Sequence, residues 1–307
     1  MRKMKVTMRD IARELNLSVA TVSYVLNHSK KEKISHETRL KVLETAKRMG
    51  YIPNLSARSL ANKRSNLIGI MINLGQNATQ SKKQRYYDLA AEIQQRLTQI
   101  GYDTVLSVTH CISEREIEVA SRHSLEALFI IDVEERYLKE ITHKCYVPII
   151  FLECFIADNI FYQIVPDYSL VMEQAKSYLE SDNLFVMVDD LLNNRTLDMI
   201  TNNIDENNIY INKSHASMKE FSQMHQNQKG IIIGEALGLE AERYFDNKQL
   251  VVLTEYDENS QLLPTTKTLT ISNKHKAEIA VDIMQQIMNL TYNEQNGTRI
   301  LVQPKSS

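Results

Sequence analysis

The chain has 307 residues, of which 43% are hydrophobic and 24% are charged, and its formal net charge is −2. Its most apolar stretch, residues 147–165, is interrupted by Glu153, Asp158 and Asn159, which excludes a membrane-spanning helix there. The three cysteines are odd in number and lack metal-ligand spacing, so we expect reduced thiols in a cytoplasmic protein that holds no metal ion. The first residues are basic but no apolar run follows them, and we expect no secretory signal.

The charged residues are unevenly distributed along the chain. Residues 1–64 contain 15 lysines and arginines against 5 acidic residues, a net charge of +10, whereas the remaining residues contain 21 against 33, a net charge of −12. A basic segment of this size attracts nucleic-acid phosphates through counterion release, independently of base sequence. A basic surface that contacts only solvent is the alternative.

Residues 7–27 have the pattern of two short helices joined by a tight turn. Apolar residues recur in both at helical spacing: Ile11, Ala12, Leu15, Val22, Val25 and Leu26. Asn16 interrupts the first helix, and asparagine is among the few residues other than glycine that accept a left-handed backbone. Ser18 is placed to cap the second helix. The pattern predicts a helix-turn-helix, with an ordinary helical hairpin as the alternative.

The outer face of the second predicted helix carries small and hydrogen-bonding side chains: Val19, Ala20, Thr21, Ser23, Tyr24 and Asn27. It contains no acidic residue that phosphate would repel. Together with the basic charge of the same segment, this face favours insertion into a DNA major groove over the helical hairpin.

The next segment predicts a third helix followed by a hinge. Ser35 is placed to cap this helix, Gly50 to end it and Pro53 to stiffen the exit. Residues 54–62 are polar and rich in helix formers, but isolated helices of this length are marginal in water. We therefore expect the hinge to order only on DNA and against a second subunit.

We call the basic segment, residues 1–64, the head. Three of its motifs carry a family resemblance: Ser18-Val19-Ala20-Thr21-Val22-Ser23-Tyr24-Val25-Leu26-Asn27, Gly50-Tyr51-Ile52-Pro53-Asn54 and Ala57-Arg58-Ser59-Leu60. In their order and spacing the chain resembles the lactose-repressor/galactose-repressor (LacI/GalR) family of bacterial transcription regulators. Over the rest of the chain the resemblance is one of pattern more than of motif.

The resemblance implies a role for each part of the head. It places the base-reading positions at Val19, Ala20 and Tyr24. Many family members have arginine where this chain has Tyr24, so the preferred operator is expected to differ from theirs. The other polar side chains are interpreted as phosphate anchors that fix the register on DNA: Thr7, Ser18, Thr21, Ser23 and Asn27.

In the family, hinge helices lie in the minor groove and a leucine wedges between the central base steps. That role falls on Leu60. Asn54, Ala57 and Arg58 complete the expected hinge contacts with DNA. A core leucine is the alternative for Leu60, and its polar neighbours disfavour it.

From residue 67 onward, short apolar runs alternate with amphipathic helical stretches. The runs are Leu67–Ile72, Thr104–Val108, Ala127–Ile131, Val147–Leu152, Phe161–Val165, Leu184–Val188, Ile209–Ile211, Gly230–Ile233, Leu250–Leu253 and Thr268–Ile271. The helical stretches include Tyr86–Ile100, Glu114–His123, Leu170–Glu180, Arg195–Ile204, Met218–His225, Ala236–Phe245 and Lys274–Met288. This alternation indicates two similar parallel sheets, each covered on both faces, with a cleft between them.

The resemblance implies the same architecture: an all-α helix-turn-helix domain followed by an α/β periplasmic-binding-protein-like core of two doubly wound parallel-sheet subdomains, crossed by the chain three times. We expect the DNA-binding domain over residues 1–52, a hinge helix and linker over 53–65, and a core for effector binding and dimerisation over 66–307. Within the core, the expected first subdomain is residues 66–162 plus 271–293, and the second is 163–270 plus 294–307.

The expected cleft departs from the family pattern. Relatives commonly have aspartate where this chain has Glu153 and Asn-Asp where it has Gly234-Glu235, and Arg195 lies near the family's ligand-binding arginine. We take Glu153, Arg195 and Glu235 as candidate effector-binding residues, and expect a ligand other than a typical free sugar.

Three further cations precede the predicted helix that begins at Tyr86. We interpret Lys82, Lys83 and Arg85 as a solvated helix start. The alternative is that they favour a phosphorylated or carboxylated ligand at that helix start.

No sequence motif supports catalysis, because a phosphate-binding glycine loop, a metalloprotease motif and a nucleophile elbow are all missing. We expect neither catalytic residues nor a cofactor. The expected function is a transcription regulator, a repressor of carbohydrate metabolism, that binds a near-palindromic double-stranded operator as a homodimer. A small-molecule effector in the cleft (a sugar, phosphosugar or other metabolite) would modulate it. The alternative is a ligand-free cleft, with control by a partner protein or with constitutive binding.

Overall fold

The computed structural model describes residues 6–26, 34, 36–49, 51, 65–111, 124–145, 147–213, 216–258, 260–289, 291 and 297–306. The chain divides into two units, Met1–Ser65 and Asn66–Ser307, here called the amino-terminal unit and the core. The expected hinge over residues 54–62 and the expected helix Glu114–His123 lie outside the described residues.

Three helices make up the described part of the amino-terminal unit: α1 (Met8–Glu14), α2 (Val19–Leu26) and α3 (His36–Met49). Their buried side chains form one apolar cluster: Ile11, Ala12, Val22, Val25, Val42 and Ala46. Small Ala12 and Ala46 permit a close approach of the helices. An ion pair between Arg48 and Glu14, 3.0 Å long, joins α3 to α1 at the surface.

The turn between α1 and α2 has the geometry expected from the sequence. Asn16 adopts a left-handed backbone with φ of 52°. The Leu17 N–H then donates to the Ala12 carbonyl at 2.9 Å and closes the end of α1. Ser18 accepts a hydrogen bond from the Thr21 N–H at 2.9 Å, and thereby satisfies one of the free amides at the start of α2.

The first sheet of the core contains β1 (Leu67–Asn73), β2 (Asp103–Thr109), β3 (Ala127–Ile131), β4 (Ile149–Leu152), β5 (Tyr162–Pro166) and β11 (Arg299–Val302). Their order is β11-β5-β4-β3-β1-β2, and all pairs are parallel. All five residues of β3 are buried, as in a central strand covered on both faces.

The second sheet contains β6 (Leu184–Asp189), β7 (Ile209–Asn212), β8 (Lys229–Ile233), β9 (Leu250–Thr254), β10 (Lys267–Thr270) and β12 (Lys305–Ser306). Their order is β12-β10-β9-β8-β6-β7, with β12 antiparallel to β10 and the other pairs parallel. Gly230 in β8 leaves room for the Phe185 ring, because a Cβ at that position would lie 2.1 Å from it.

The described helices of the core are α4 (Gln80–Gln99), α5 (Leu138–Lys144), α6 (Tyr168–Leu179), α7 (Asn194–Thr201), α8 (Met218–Met224), α9 (Glu235–Ala241) and α10 (Asn273–Met288). Helix α4 packs against α10 beside the first sheet. It begins six residues before the expected start at Tyr86, so Lys82, Lys83 and Arg85 lie inside its first turns instead of preceding it.

The expected division of the core between 162 and 163 falls within β5, which pairs along its length with the first sheet. Strand β11, expected in the second subdomain, also pairs with β5. The chain therefore passes to the second sheet after Pro166, returns after Thr270 and passes again between Val302 and Lys305. Neither the last two strands nor α5 is among the elements predicted from the sequence.

Candidate nucleic-acid interface and core cleft

Helix α2 presents the predicted base-reading side chains to solvent. Val22 and Val25 are fully buried against α1 and α3, which fixes the orientation of the helix. On the other side Val19 is 43% and Tyr24 38% exposed, and Ala20 is exposed as well. A valine and a tyrosine held outward by a packed inner face can contact base edges in a groove.

The predicted phosphate anchors differ in the hydrogen bonds that they already make within the protein. Ser18 and Thr21 share a hydrogen bond between their hydroxyls of 2.8 Å, and Ser23 is half-buried. Thr7 donates to the Asp10 carboxylate from its N–H at 2.9 Å and from its hydroxyl at 2.6 Å. These hydrogen bonds lower the pKa of Asp10, so it stays ionised.

Five predicted DNA contacts lie outside the described residues: Asn27, Asn54, Ala57, Arg58 and Leu60. Their assignment stays a prediction from the family resemblance. The described anchors and base-reading positions therefore all belong to α2 or to the residues that directly precede α1 and α2, Thr7 and Ser18.

In the core, polar side chains collect where the strands of the two sheets end. Asp132 follows β3 and Glu153 follows β4, and both adopt a left-handed backbone with φ of 58°. Such a backbone is sparsely populated for residues other than glycine, and strain of this kind clusters at ligand sites and switch regions. Both carboxyl groups are buried between the sheets.

We call the part of the core built on the first sheet the first half and the part built on the second sheet the second half. Asp132 accepts hydrogen bonds from both halves. Within its own half, the Lys82 ammonium lies 3.0 Å from its carboxylate and the Tyr86 hydroxyl donates at 2.9 Å. From the other half, the N–H groups of Leu192 and Asn193 donate at 3.2 Å. Lys82 also donates to the Asp190 carbonyl at 2.7 Å.

Asp189, at the end of β6, makes the corresponding contacts in the opposite direction. It accepts from the hydroxyls of Thr79 at 2.9 Å and Ser81 at 3.0 Å, which belong to the start of α4 in the first half. The Asn212 amide at the end of β7 donates to the same carboxylate at 3.0 Å. Asp189 is fully buried.

A second group of buried charges surrounds Arg85. The Lys276 ammonium lies 2.6 Å from Glu153. Burial alone would raise the pKa of Glu153, but Lys276 and Arg85 outweigh it and hold the pKa below its ordinary value. Burial raises the pKa of Glu255, which Arg85 and Lys276 oppose. Among the described atoms, Arg85 Nε has no hydrogen-bond partner.

The three candidate effector residues have different environments. Glu153 is buried and paired with Lys276. Glu235, the first residue of α9, is buried and accepts hydrogen bonds from Thr254 Oγ1 and from the Gln261 N–H. Arg195 lies at the rim, half exposed, and pairs with Glu135 at 2.7 Å across the cleft. The structure thus surrounds Glu153 and Glu235 with protein and leaves Arg195 at the surface.

The cleft also contains four charged residues that were not predicted to lie there: Asp132, Asp189, Glu255 and Lys276. A signal was present, because three of them are acidic residues that end or follow a buried strand, where ligands of parallel sheets bind. The solvated interpretation of the cations before Tyr86 also differs from the structure, since Lys82 and Arg85 are buried.

Among the residues that the structure describes, no group of three or more His, Cys, Asp or Glu side chains is placed to hold a metal ion. Within the same part of the chain, no helix combines the length and the apolar composition that crossing a membrane requires.

The chain is similar to known proteins at its amino end and over about half of its length. Residues 7–54 match the family model described as bacterial regulatory proteins, lacI family. Catabolite control protein A of Priestia megaterium is 32% identical over 170 residues, which cover 54% of this chain and 48% of that protein. The Staphylococcus epidermidis protein of the same name is 30% identical over 180 residues, 57% of this chain and 52% of that protein. The chain thus spans about half the length of the curated relatives it matches.

Solved structures share the fold over nearly the whole chain. The lac repressor dimer bound to operator and the anti-inducer ONPF has a TM-score of 0.76 at 19% identity, with 98% of this chain and 97% of that chain covered. The complex of the transcriptional regulator CelR with cellobiose has a TM-score of 0.61 at 14% identity, with 99% and 98% covered. The two comparisons agree: residues 7–54 are similar to bacterial regulatory proteins of the lacI family, and nearly the whole chain has the fold of the lac repressor.

Proposed function

We propose that this chain is a sequence-specific transcription repressor that binds a near-palindromic operator as a homodimer. The observation that carries the proposal is the outer face of α2, where Val19, Ala20 and Tyr24 are exposed while Val22 and Val25 fix the helix from below. A helix so presented suits the major groove of duplex DNA.

Electrostatics support the same function. Helix α2 carries no acidic residue in its first turn, and residues 1–64 have a net charge of +10. The two acidic residues of α1 are already bound within the protein: Asp10 accepts hydrogen bonds from Thr7, and Glu14 pairs with Arg48. Their repulsion of DNA phosphates is thereby reduced. Phosphate attraction would supply affinity, and the exposed face of α2 would supply base preference.

Dimerisation follows from the small size of one head. A single helix-turn-helix reads a few base pairs, and two heads related by a two-fold axis double the contact and require a near-palindromic site. The lac repressor, whose fold this chain shares, is a dimer bound to operator in its structure. We assign DNA binding to residues 1–52, the hinge to 53–65, and dimerisation and control to 66–307, in a protein of the cytoplasm.

Two modes of control are candidates for the core. A small-molecule effector in the cleft is favoured by the relatives solved with cellobiose or ONPF bound. A ligand-free cleft is favoured by the buried charges, which are already paired with one another. Thermal unfolding with sugars, sugar phosphates, nucleobases and amino acids separates them, because an effector at about 100 times its Kd adds roughly 2.7 kcal/mol to the stability.

Selection of duplexes from a random pool by the purified chain tests the proposal. We expect enrichment of a two-fold symmetric site whose half-sites are bound by the two heads. Enrichment of no sequence over scrambled competitor, with or without the metabolite panel, would contradict it.

A further inference from the structure

Each half of the core contributes a carboxylate that is bound by groups of the other half across the cleft. Asp132 of the first half accepts the N–H groups of Leu192 and Asn193, which lead into α7 of the second half. Asp189 of the second half accepts the hydroxyls of Thr79 and Ser81, at the start of α4 of the first half. Each half thus places an anion at the start of a helix that belongs to the other half.

The start of a helix is a ready-made anion site, because its free N–H groups and its dipole both favour negative charge. At α7 the Asn193 side chain caps the Thr196 N–H, and Asp132 binds the two N–H groups that come just before the helix, those of Leu192 and Asn193. The Lys82 ammonium, 3.0 Å from Asp132 and 2.7 Å from the Asp190 carbonyl, supplies a positive charge from the first half and a hydrogen bond to the second. We call Thr79, Ser81, Lys82, Asp132 and Asp189 the cross-cleft cluster.

Burial makes this cluster different from the ion pair at the rim. Lys82, Asp132 and Asp189 are each 0% exposed, whereas Arg195 and Glu135 have side chains 51% and 39% exposed. An exposed ion pair contributes little to stability, while removal of one partner of a buried pair leaves an uncompensated charge. Asn193 adds a further contact across the cleft through its amide, which donates to the Val133 carbonyl at 2.9 Å.

We propose that the cross-cleft cluster is a built-in ligand: its own carboxylates and ammonium hold the two halves of the core closed without a small molecule. In consequence, and here the inference rests on the proposed repressor function, the chain binds operator with equal affinity in the presence and absence of metabolites. An external signal acts on it only by breaking these contacts.

Hydrogen exchange on the full chain tests the closure directly. The protein is dialysed exhaustively, and native mass spectrometry shows that the chain carries no bound small molecule. We expect the Leu192 and Asn193 amides to exchange about 100-fold or more below their unprotected rate, because their N–H groups are bonded to Asp132 in the closed core. Exchange at the unprotected rate overturns the proposal.

Substitutions identify the cluster as the cause. Asp132→Asn removes the charge and keeps a residue that tolerates the left-handed backbone, and we expect exchange at Leu192 and Asn193 to accelerate about tenfold or more. Ser81→Ala, which removes a single hydroxyl and is the milder change, should accelerate it by a smaller factor. Glu135→Gln, the matched change in the exposed rim pair, should leave exchange unchanged. Equal acceleration by Glu135→Gln and Ser81→Ala overturns the role of the cluster.

The result is distinguishable from a failure of the proposed function. Protected amides in a chain that selects no DNA site support the closure and contradict the repressor. Operator binding by a chain whose amides exchange freely supports the repressor and contradicts the closure. Operator affinity that a metabolite changes by more than about threefold, with Leu192 and Asn193 protected only when it is bound, also contradicts the closure.

Discussion

At the scale of single residues, we propose that Tyr24 helps to decide which operator the chain prefers. Its side chain is 38% exposed on the outer face of α2, while Val22 and Val25 are buried on the inner face of the same helix. Where many relatives carry an arginine able to bind guanine with two hydrogen bonds, tyrosine offers one hydroxyl and an apolar edge. Base preference at one position per half-site is therefore expected to depend on this ring.

The Tyr24→Ala variant tests that dependence. We expect it to flatten the preference at one base pair per half-site, at a cost of about 1–3 kcal/mol there, with the other positions unaffected. Binding to a set of operators substituted one base pair at a time measures the effect. Tyr244→Ala, a similarly exposed tyrosine of the core, is the control. Equal weakening at every position would make Tyr24 a backbone contact.

A buried charge in the core gives a second prediction at this scale. Lys276→Met leaves Glu153 without its partner at 2.6 Å, and removal of one member of a buried pair destabilises by about 3–5 kcal/mol. Lys274→Met, an exposed lysine on the same helix, is the matched control and should change stability little. Denaturant unfolding followed by circular dichroism measures both.

The pH dependence of these variants has a definite sign. In the wild type the pKa of Glu153 is held below its ordinary value of 4.5, so its contribution to stability is complete above that value and is lost as the pH falls through the lowered pKa. Without Lys276 we expect burial to raise this pKa instead. The loss of unfolding free energy in Lys276→Met should then be largest near pH 7 and shrink toward about pH 5. A loss that grows on acidification would contradict the pairing of Glu153 with Lys276.

At the scale of elements, the amino-terminal unit depends on how α1 ends. Asn16 has φ of 52°, and the Leu17 N–H that follows it closes onto the Ala12 carbonyl. This turn sets the angle between α1 and α2, and so the direction of the outer face. A residue that resists the left-handed backbone should loosen α2 without touching its surface.

The Asn16→Val variant tests the turn. We expect a loss of about 1–2 kcal/mol, seen as faster hydrogen exchange at Leu17 and along α2, because a β-branched residue is strained at this φ. Asn16→Gly, which adopts the same backbone freely, is the control and should retain wild-type exchange. Similar exchange in both variants would show that φ at this position does not limit the stability of the unit.

At the scale of the whole molecule, the proposed function depends on two heads acting together, and the hinge over residues 54–62 is expected to join them on DNA. We expect deletion of these residues to abolish operator binding while the core keeps its unfolding temperature. We expect this short polar segment to become helical only against DNA and a second subunit, so that the two heads lose their register without it.

Gel shift and thermal unfolding of the deletion variant measure the two effects. Replacing the same residues by a glycine-serine linker of equal length is the control for spacing, and it should also fail to bind. Operator affinity equal to that of the wild type in either variant would contradict the hinge assignment.

Local patterns by themselves determined much of this protein. The alternation of apolar runs and helical stretches located ten strands to within about two residues, because most of them are buried on both faces and such a strand must be apolar throughout. The spacing of Ile11, Ala12, Val22 and Val25, with Asn16 between them, determined the two crossed helices, because each signal is local to the residues that carry it.

Only the tertiary structure decided what lies in the cleft. Lys82 and Arg85 have the composition of a solvated helix start, yet they are buried against Asp132 and Glu153 from strands more than forty residues away. The sheet of β5 and β11 was likewise undetermined, since a short strand pairs with a partner chosen by the packing of both halves. Long-range pairing of charges and strands leaves no periodic trace in the sequence, and so only the folded chain decides it.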